Sequence, residues 1–161
     1  MKIEMKIPAE FPQFEDKKVL IVATGAQDAD IYLASNGILD KVVYFRIPRR
    51  RYSDKEGFFS SRTKIGKRGM GIASGADREY PKEAAIQDFL NRLEAELKTT
   101  SKKEKISYVC LFSPDYMMKM VKSVFPADLR DKVKISITGN FSQHRPIELL
   151  EKINLKVKRL I

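Results

Sequence analysis

The sequence predicts an α/β fold of three layers, α/β/α, around a five-stranded mixed sheet. Two observations carry this. Up to Pro48 the chain holds only β-type runs joined by short turns. Beyond that, apolar runs alternate with stretches whose apolar residues recur at three and four. Strands separated by helices favour parallel pairing through right-handed crossovers.

The elements follow in order. "VLIVATG" (19–25) is a continuous apolar run, as expected of a central strand buried on both faces. "ADIYLASNG" follows after a tight connection, and its "SNG" ending is a turn signal. "KVVYFRI" (41–47) is β-branched and aromatic and reads as a third strand, stopped by Pro48. In "PKEAAIQDFLNRLEAELK" the positions Ile86, Phe89, Leu90, Leu93 and Leu97 form one helical stripe. Pro81 suits its first turn. "ISYVCLFS" (106–113) is a second buried strand, and Pro114 opens the helix "DYMMKMVKSVF". Met117, Met118 and Met120 read as core filler with one exposed member. "ADLRDK" is a short helical turn or loop. In "VKISITG" (133–139), Val133, Ile135 and Ile137 share one face of a strand. "RPIELLEKI" is a last short helix, and "LKVKRLI" a basic tail readable as a terminal strand. A hairpin meander feeding βαβ units is the ribonuclease H-like arrangement.

Composition bounds the class. The 161 residues, 43% hydrophobic and 32% charged, suit one globular domain spanning 1–161. No apolar run approaches the roughly 18 residues of a membrane span. The N-terminal "MKIEMKIPAEFPQFEDKK" alternates polar and apolar residues and carries acids, unlike a signal or transit peptide. The single cysteine, Cys110, reads as a buried structural thiol, and a cytoplasmic location is the expectation.

Net charge is +10, and it is concentrated. From Arg46 to Arg68 nine Lys and Arg face only Asp54 and Glu56, so this segment holds +7 of the total. It lies within a long loop expected at about 48–80. Loops of such length are usually functional or disordered. Arg49, Arg50, Arg51, Arg62, Lys64, Lys67 and Arg68 are the candidate contacts to RNA phosphates, with Tyr52, Phe58 and Phe59 available to stack on bases. Gly66, Gly69 and Gly71 would let the loop backbone approach closely. "GKRGMG" is not a P-loop, because that motif needs its glycines between a buried strand and a helix and ends in Gly-Lys-Ser/Thr.

Other chemistry is sparse. The first apolar strand has no acid, and Asp28 and Asp30 fall in or beside the following turn, so a two-metal nuclease is disfavoured. One cysteine and one histidine exclude zinc sites of the Cys/His kind. No metal or cofactor is called for. His144, in the polar "GNFSQHRP", has no carboxylate or nucleophile beside it in sequence, so a surface or capping role is expected. Ser113 and Ser142 read as helix caps for the same reason.

The stretches "VLIVATGAQDADIYLASNG", "AAIQDFLNRLEAEL" and "ISYVCLFSPDYMMKMVKSVFPADLRDKVKISITGNFSQHRPIELLEKI" resemble a family of small prokaryotic proteins labelled as required for attachment to host cells. That family is related to the central domain of archaeal and eukaryotic peptide-chain release factors and of the Pelota ribosome-rescue factors. The resemblance runs from about Lys18 to Ile153 and rests on pattern. It implies a ribonuclease H-like fold and ribosomal or tRNA partners. It also implies that the loop between the third strand and the long helix stands where release factors carry a Gly-Gly-Gln tip. That tip is missing here, and the nearby Gln87 lies in the helix. The family's Lys-Asp pair after the last strand is replaced by Gly139-Asn140.

The expectation is therefore a non-catalytic, RNA- or ribosome-associated protein that contacts ribosomal RNA or tRNA through its basic loop. A release- or rescue-type hydrolase of peptidyl-tRNA or another RNA ester is one alternative. A module binding an acidic protein partner is another.

Overall fold

The computed structural model describes residues 3–48, 67–141 and 144–160. Within them the order is β1 (Ile3–Lys6), β2 (Val19–Thr24), β3 (Asp28–Ser35), β4 (Ile38–Arg46), α1 (Lys67–Lys103), β5 (Tyr108–Ser113), α2 (Asp115–Ser123), the single turn α3 (Ala127–Arg130), β6 (Val133–Thr138) and α4 (Pro146–Leu160). One mixed sheet runs β1-β4-β3-β2-β5-β6. The β1–β4, β4–β3 and β3–β2 pairs are antiparallel, whereas β2–β5 and β5–β6 are parallel.

The meander is set by its turn. Asn36 and Gly37 take φ of 46° and 78°, the positive pair that a two-residue hairpin turn needs. A Cβ on Gly37 would also stand 2.9 Å from Gln13 Oε1. Gln13 holds the N-terminal segment against this hairpin. Its side-chain amide donates to the carbonyls of Pro8 and Phe11 at 2.8 and 3.0 Å, and its backbone carbonyl accepts from Gly37 N–H at 2.8 Å.

The mixed three-layer architecture matches the sequence expectation, with differences of detail. The sheet has six strands, because the alternating N-terminus adds β1 to β4, with Ile3 opposite Lys41. Residues 155–160 continue α4 and do not form a strand. Val157 packs with the cluster containing Leu149 and Ile153, and this spacing of four reconciles the alternating tail with a helix. Helix α1 begins at Lys67 and not at Pro81, so residues 67–80 of the expected loop are helical. Pro81, expected in a first turn, sits inside the helix and leaves the Asp77 carbonyl without its helical donor.

Two hydrophobic clusters sandwich the sheet. On one face Leu20, Val22, Ile31, Phe45 and Leu111 meet Phe89, Leu93 and Leu97 of α1, Met117 and Val121 of α2, and Leu129 of α3. On the other, Ile21, Ala23, Cys110, Phe112 and Ile135 meet Leu149, Leu150 and Ile153 of α4. The α1 stripe is thus the one read from sequence. The expected common face of Val133, Ile135 and Ile137 splits: Val133 packs on the α1 side and the other two on the α4 side. A register shift beside Val109 causes this. Of the methionines, Met117 is fully buried and Met118 and Met120 are half-buried, so none is exposed; the exposed aromatic of α2 is Tyr116.

Candidate nucleic-acid interface

The parallel strands β2, β5 and β6 end at one edge of the sheet, and β4 ends there too, since both β2 and β4 run against β3. The carboxyl ends of such strands are the usual place for ligands in α/β sheets. The basic segment leaves the described residues from this edge, after Pro48. Arg49, Arg50, Arg51, Arg62, Lys64 and Gly66 lie outside the described residues, as do Tyr52, Phe58, Phe59 and Ser142. Lys67, Arg68, Gly69 and Gly71 lie in the opening turns of α1, so these glycines are in helical backbone and not in a loop.

At the same edge is a cavity of about 440 Å³, lined by the 25–27 turn, Asp28, Arg46, Asn140 and His144. Backbone bonds fix its walls. Gly25 N–H donates to Asp28 O, and Ile47 N–H to Gln27 O, both at 2.8 Å. The buried Thr24 hydroxyl donates to Phe112 O at 3.2 Å, and Gly139 N–H donates to Ser113 O at 2.9 Å. Gly139 has φ of 143°, and a Cβ there would meet the Phe141 ring at 2.6 Å. Phe141 packs edge-on to Phe112, centroids 5.2 Å apart, and the His144 ring lies 5.0 Å from it. Glycine at 139 therefore allows the turn that carries Asn140 and His144 to fold back over the sheet.

The two acids of β3 were expected in or beside a turn; both lie in the strand and are buried. Alternation puts Asp28, Asp30 and Tyr32 on the α4 side, opposite Arg46, Tyr44 and Lys41 of β4. Tyr44 donates its hydroxyl to Asp28 Oδ2 at 3.4 Å. The Lys41 ammonium sits 3.1 Å from Asp30 Oδ1 and within 6 Å of the Tyr32 and Tyr44 rings, as an ion pair with cation–π support. Burial still raises the Asp30 pKa, against the hydrogen bond and charge of Lys41 and aided by the neighbouring Asp28 charge. Burial, with the Asp30 charge, also pushes the Tyr32 phenol well above its ordinary range. Among the described residues no three His, Cys, Asp or Glu side chains gather in a metal-binding group.

Other sequence-derived candidates resolve individually. Cys110 is fully buried, and desolvation pushes its thiol up to about 12, so it is held as an unreactive thiol. Ser113 does not cap α2: Pro114 holds the N-cap position without a side-chain bond, and the buried Ser113 hydroxyl donates to the Pro114 carbonyl at 3.2 Å. His144 has no acid near it in sequence, yet the fold brings it to a cavity shared with Asp28. That convergence joins residues more than a hundred positions apart. The one local cue was the position of both groups just outside strand-like runs. No helix among the described residues is long and apolar enough to cross a membrane.

No family model matches the chain, and no curated protein matches its sequence. Among solved structures, the fold is similar to that of the archaeal translation termination factor aRF1, with a TM-score of 0.51 and 10% sequence identity. The match covers 90% of this chain and 40% of that one, so the chain spans well under half the length of the factor. What the two share is a fold.

Proposed function

We propose that the protein is an RNA- or ribosome-associated module that works by binding and does not hydrolyse peptidyl-tRNA. The observation that carries this is the concentration of +7 of the net +10 between Arg46 and Arg68. Cations at that density neutralise phosphates and release counterions. The segment springs from the sheet edge that also holds the polar cavity, which supports a single working surface there. Arg49, Arg50, Arg51, Arg62, Lys64, Lys67 and Arg68 supply the phosphate contacts, and ribosomal RNA or tRNA is the partner. The fold likeness to a translation termination factor supports a partner in translation. The absence of Gly-Gly-Gln from the sequence supports binding over hydrolysis. The reading includes a cytoplasmic location and kinship with the proteins labelled as required for attachment to host cells.

Cosedimentation with purified ribosomes over a salt series tests it. Binding should fall steeply with salt, with a log–log slope of about −0.7 per phosphate contacted for single-stranded RNA. Replacing Arg49, Arg50 and Arg51 together by Glu should abolish it. Sedimentation unchanged by that triple replacement would end the proposal. Nuclease treatment of a pulled-down complex separates an RNA partner from an acidic protein, because only the RNA-mediated complex falls apart.

A further inference from the structure

We infer that the opposite edge of the sheet, where β2, β5 and β6 begin, is a second RNA surface, one that takes the phosphate backbone of a double-stranded helix. This rests on the RNA-binding reading and adds a contact separate from the basic segment. The two edges are about 20 Å apart along six-residue strands.

Segments distant in sequence are knit together there. Ser101 Oγ donates to Asp128 Oδ2 at 2.8 Å and joins the end of α1 to α3. Lys132 Nζ donates to Ile106 O at 2.8 Å, and Ser107 N–H to Lys18 O at 2.7 Å, so residues 104–107 link the starts of β6 and β2. The Arg130 guanidinium donates to Ser123 O and Phe125 O at 3.2 and 2.9 Å, tying α3 to the end of α2. From Ser101 to Lys134 eight Lys and Arg face Glu104, Asp115, Asp128 and Asp131, an excess of +4. Asp115 and Lys119 lie further along α2 towards the other edge, and they cancel. Of the acids left, Glu104 is paired with Lys18 at 2.6 Å and Asp128 is bonded to Ser101. Lys102, Lys103, Lys105, Lys122 and Lys134 are exposed and make no ion pair with any described residue.

Helix ends account for part of this charge. Lys102, Lys103, Lys122 and Arg130 stand in last turns, beside the negative end of a helix dipole. Lys105 and Lys134 belong to no helix and are exposed at the same edge. The make-up of the surface selects the partner. Protein interfaces centre on apolar and aromatic side chains and are depleted in Lys. The exposed large apolar side chains among the described residues are Ile38, Val42, Tyr44, Tyr116 and Leu155, and none lies in 101–107 or 122–134. A basic patch with no apolar insertion and no lipid chain holds a membrane only marginally. Ammonium groups on flexible stems suit nucleic-acid phosphates, which they meet as point charges. The form of the RNA follows from the aromatics. Tyr108 is half-buried beside Phe14 and Phe125 is buried, so neither ring offers its face to an unpaired base. A double-stranded helix keeps its bases stacked inside and is held by shape and backbone. The excess of +4 is smaller than the +7 of the basic segment, so this is the weaker contact. At physiological salt the basic segment decides whether the chain sediments with ribosomes.

The test is fluorescence anisotropy with two blunt RNA duplexes of unrelated sequence, about 16 base pairs long, over a salt series. Phosphatidylserine vesicles and polyglutamate serve as probes for a membrane and an acidic protein. The assay is run on the full chain and on its version with Arg49, Arg50 and Arg51 replaced by Glu, which isolates this edge. Near 0.1 M salt the Debye length is about 10 Å, half the separation of the edges, so that replacement should leave the contact in place. Both duplexes should bind with equal affinity, which falls steeply with salt. Replacing Lys102, Lys103 and Lys105 together by Gln should weaken binding about tenfold or more and lower the log–log salt slope by about three, one per phosphate contact. Lys122→Gln with Lys134→Gln, on two other elements, should lower it by about two. Thermal melts check that each variant is folded. The inference is overturned if a folded variant of either set binds the duplexes unchanged, if one sequence is preferred, or if vesicles or polyglutamate bind more tightly than the duplexes. Ribosome cosedimentation is scored apart. A chain that sediments with ribosomes but binds duplexes without regard to these lysines loses the second surface alone. A chain that binds duplexes through them but fails to sediment loses the wider reading and keeps this surface.

Discussion

The two faces of the sheet are made by alternate residues of the same strands, and they differ in what covers them. On one side α1, α2 and α3 lie over Leu20, Val22, Ile31, Phe45 and Leu111. On the other, α4 lies over Ile21, Ala23, Cys110, Phe112 and Ile135, and the N-terminal segment adds Ile7, Phe11 and Phe14 beside Tyr32, Ala34 and Leu39. A helix is about 10 Å across and strands are about 4.8 Å apart. One helix therefore covers two or three strands of six; the N-terminal segment covers one end of β3 and β4, and the other end of β4, around Tyr44 and Arg46, stays exposed. Tyr44 there is 42% exposed. The acids Asp28 and Asp30 lie beside that exposed end, both buried, with Tyr44 and Lys41 as partners. Complete cover gives stability, and incomplete cover leaves room for chemistry.

The sharpest way to break this comparison is to cut into the covered face. Phe89 is fully buried and its ring centroid is 5.6 Å from that of Phe45, so Phe89→Ala should cost about 3–5 kcal/mol in urea unfolding. A loss below about 1 kcal/mol would mean that α1 does not anchor that side as described.

Next comes the turn that closes the site. Gly139→Ala has to adopt a φ of 143° and meets the Phe141 ring, so it should destabilise by about 1–3 kcal/mol. Amide shifts at Asn140 and His144 should move with it. Unchanged melting and unchanged shifts would show that the turn does not need glycine.

A finer probe is pH. Burial raises the Asp30 pKa in the folded protein, so as pH rises the unfolded chain ionises first. Stability contributed by Asp30 is full below the ordinary aspartate value and declines as pH rises towards the folded value. Asp30→Asn should flatten the stability profile through that window. Parallel profiles for both proteins would remove Asp30 as the titrating group.

The smallest effect belongs to the open face. Tyr44→Phe removes a long hydrogen bond at a well-exposed site and should change stability by less than about 0.5 kcal/mol. A loss comparable to that of Phe89→Ala would show the two faces to be equally structural.

Much of this was legible in the residues. The Asn36-Gly37 turn announced its hairpin, because few residues accept two consecutive positive φ values. The α1 stripe from Phe89 to Leu97 fixed which side of that helix meets the sheet. Pro146 in the first turn of α4 was readable too, and Arg145 N–H bonded to Glu148 Oε1 at 2.9 Å completes half of a capping box. Two short segments misled for a physical reason. "LKVKRLI" satisfies both a period of two and a spacing of four, so its neighbours decided between them. Residues 67–80 carry three glycines and only small or scattered apolar residues, and the sequence pattern alone did not reveal their place in α1.

The sequence by itself determined the alternation of strands and helices, the burial of Cys110, and the local excess of positive charge, since each depends on neighbours along the chain. The cavity was decided by tertiary structure alone. It draws Asp28 from β3, Arg46 from β4, and Asn140 and His144 from beyond β6. Those residues come together only when β5 and β6 align parallel to β2 and bring distant strand ends to one edge, and no local pattern encodes which strand ends will meet.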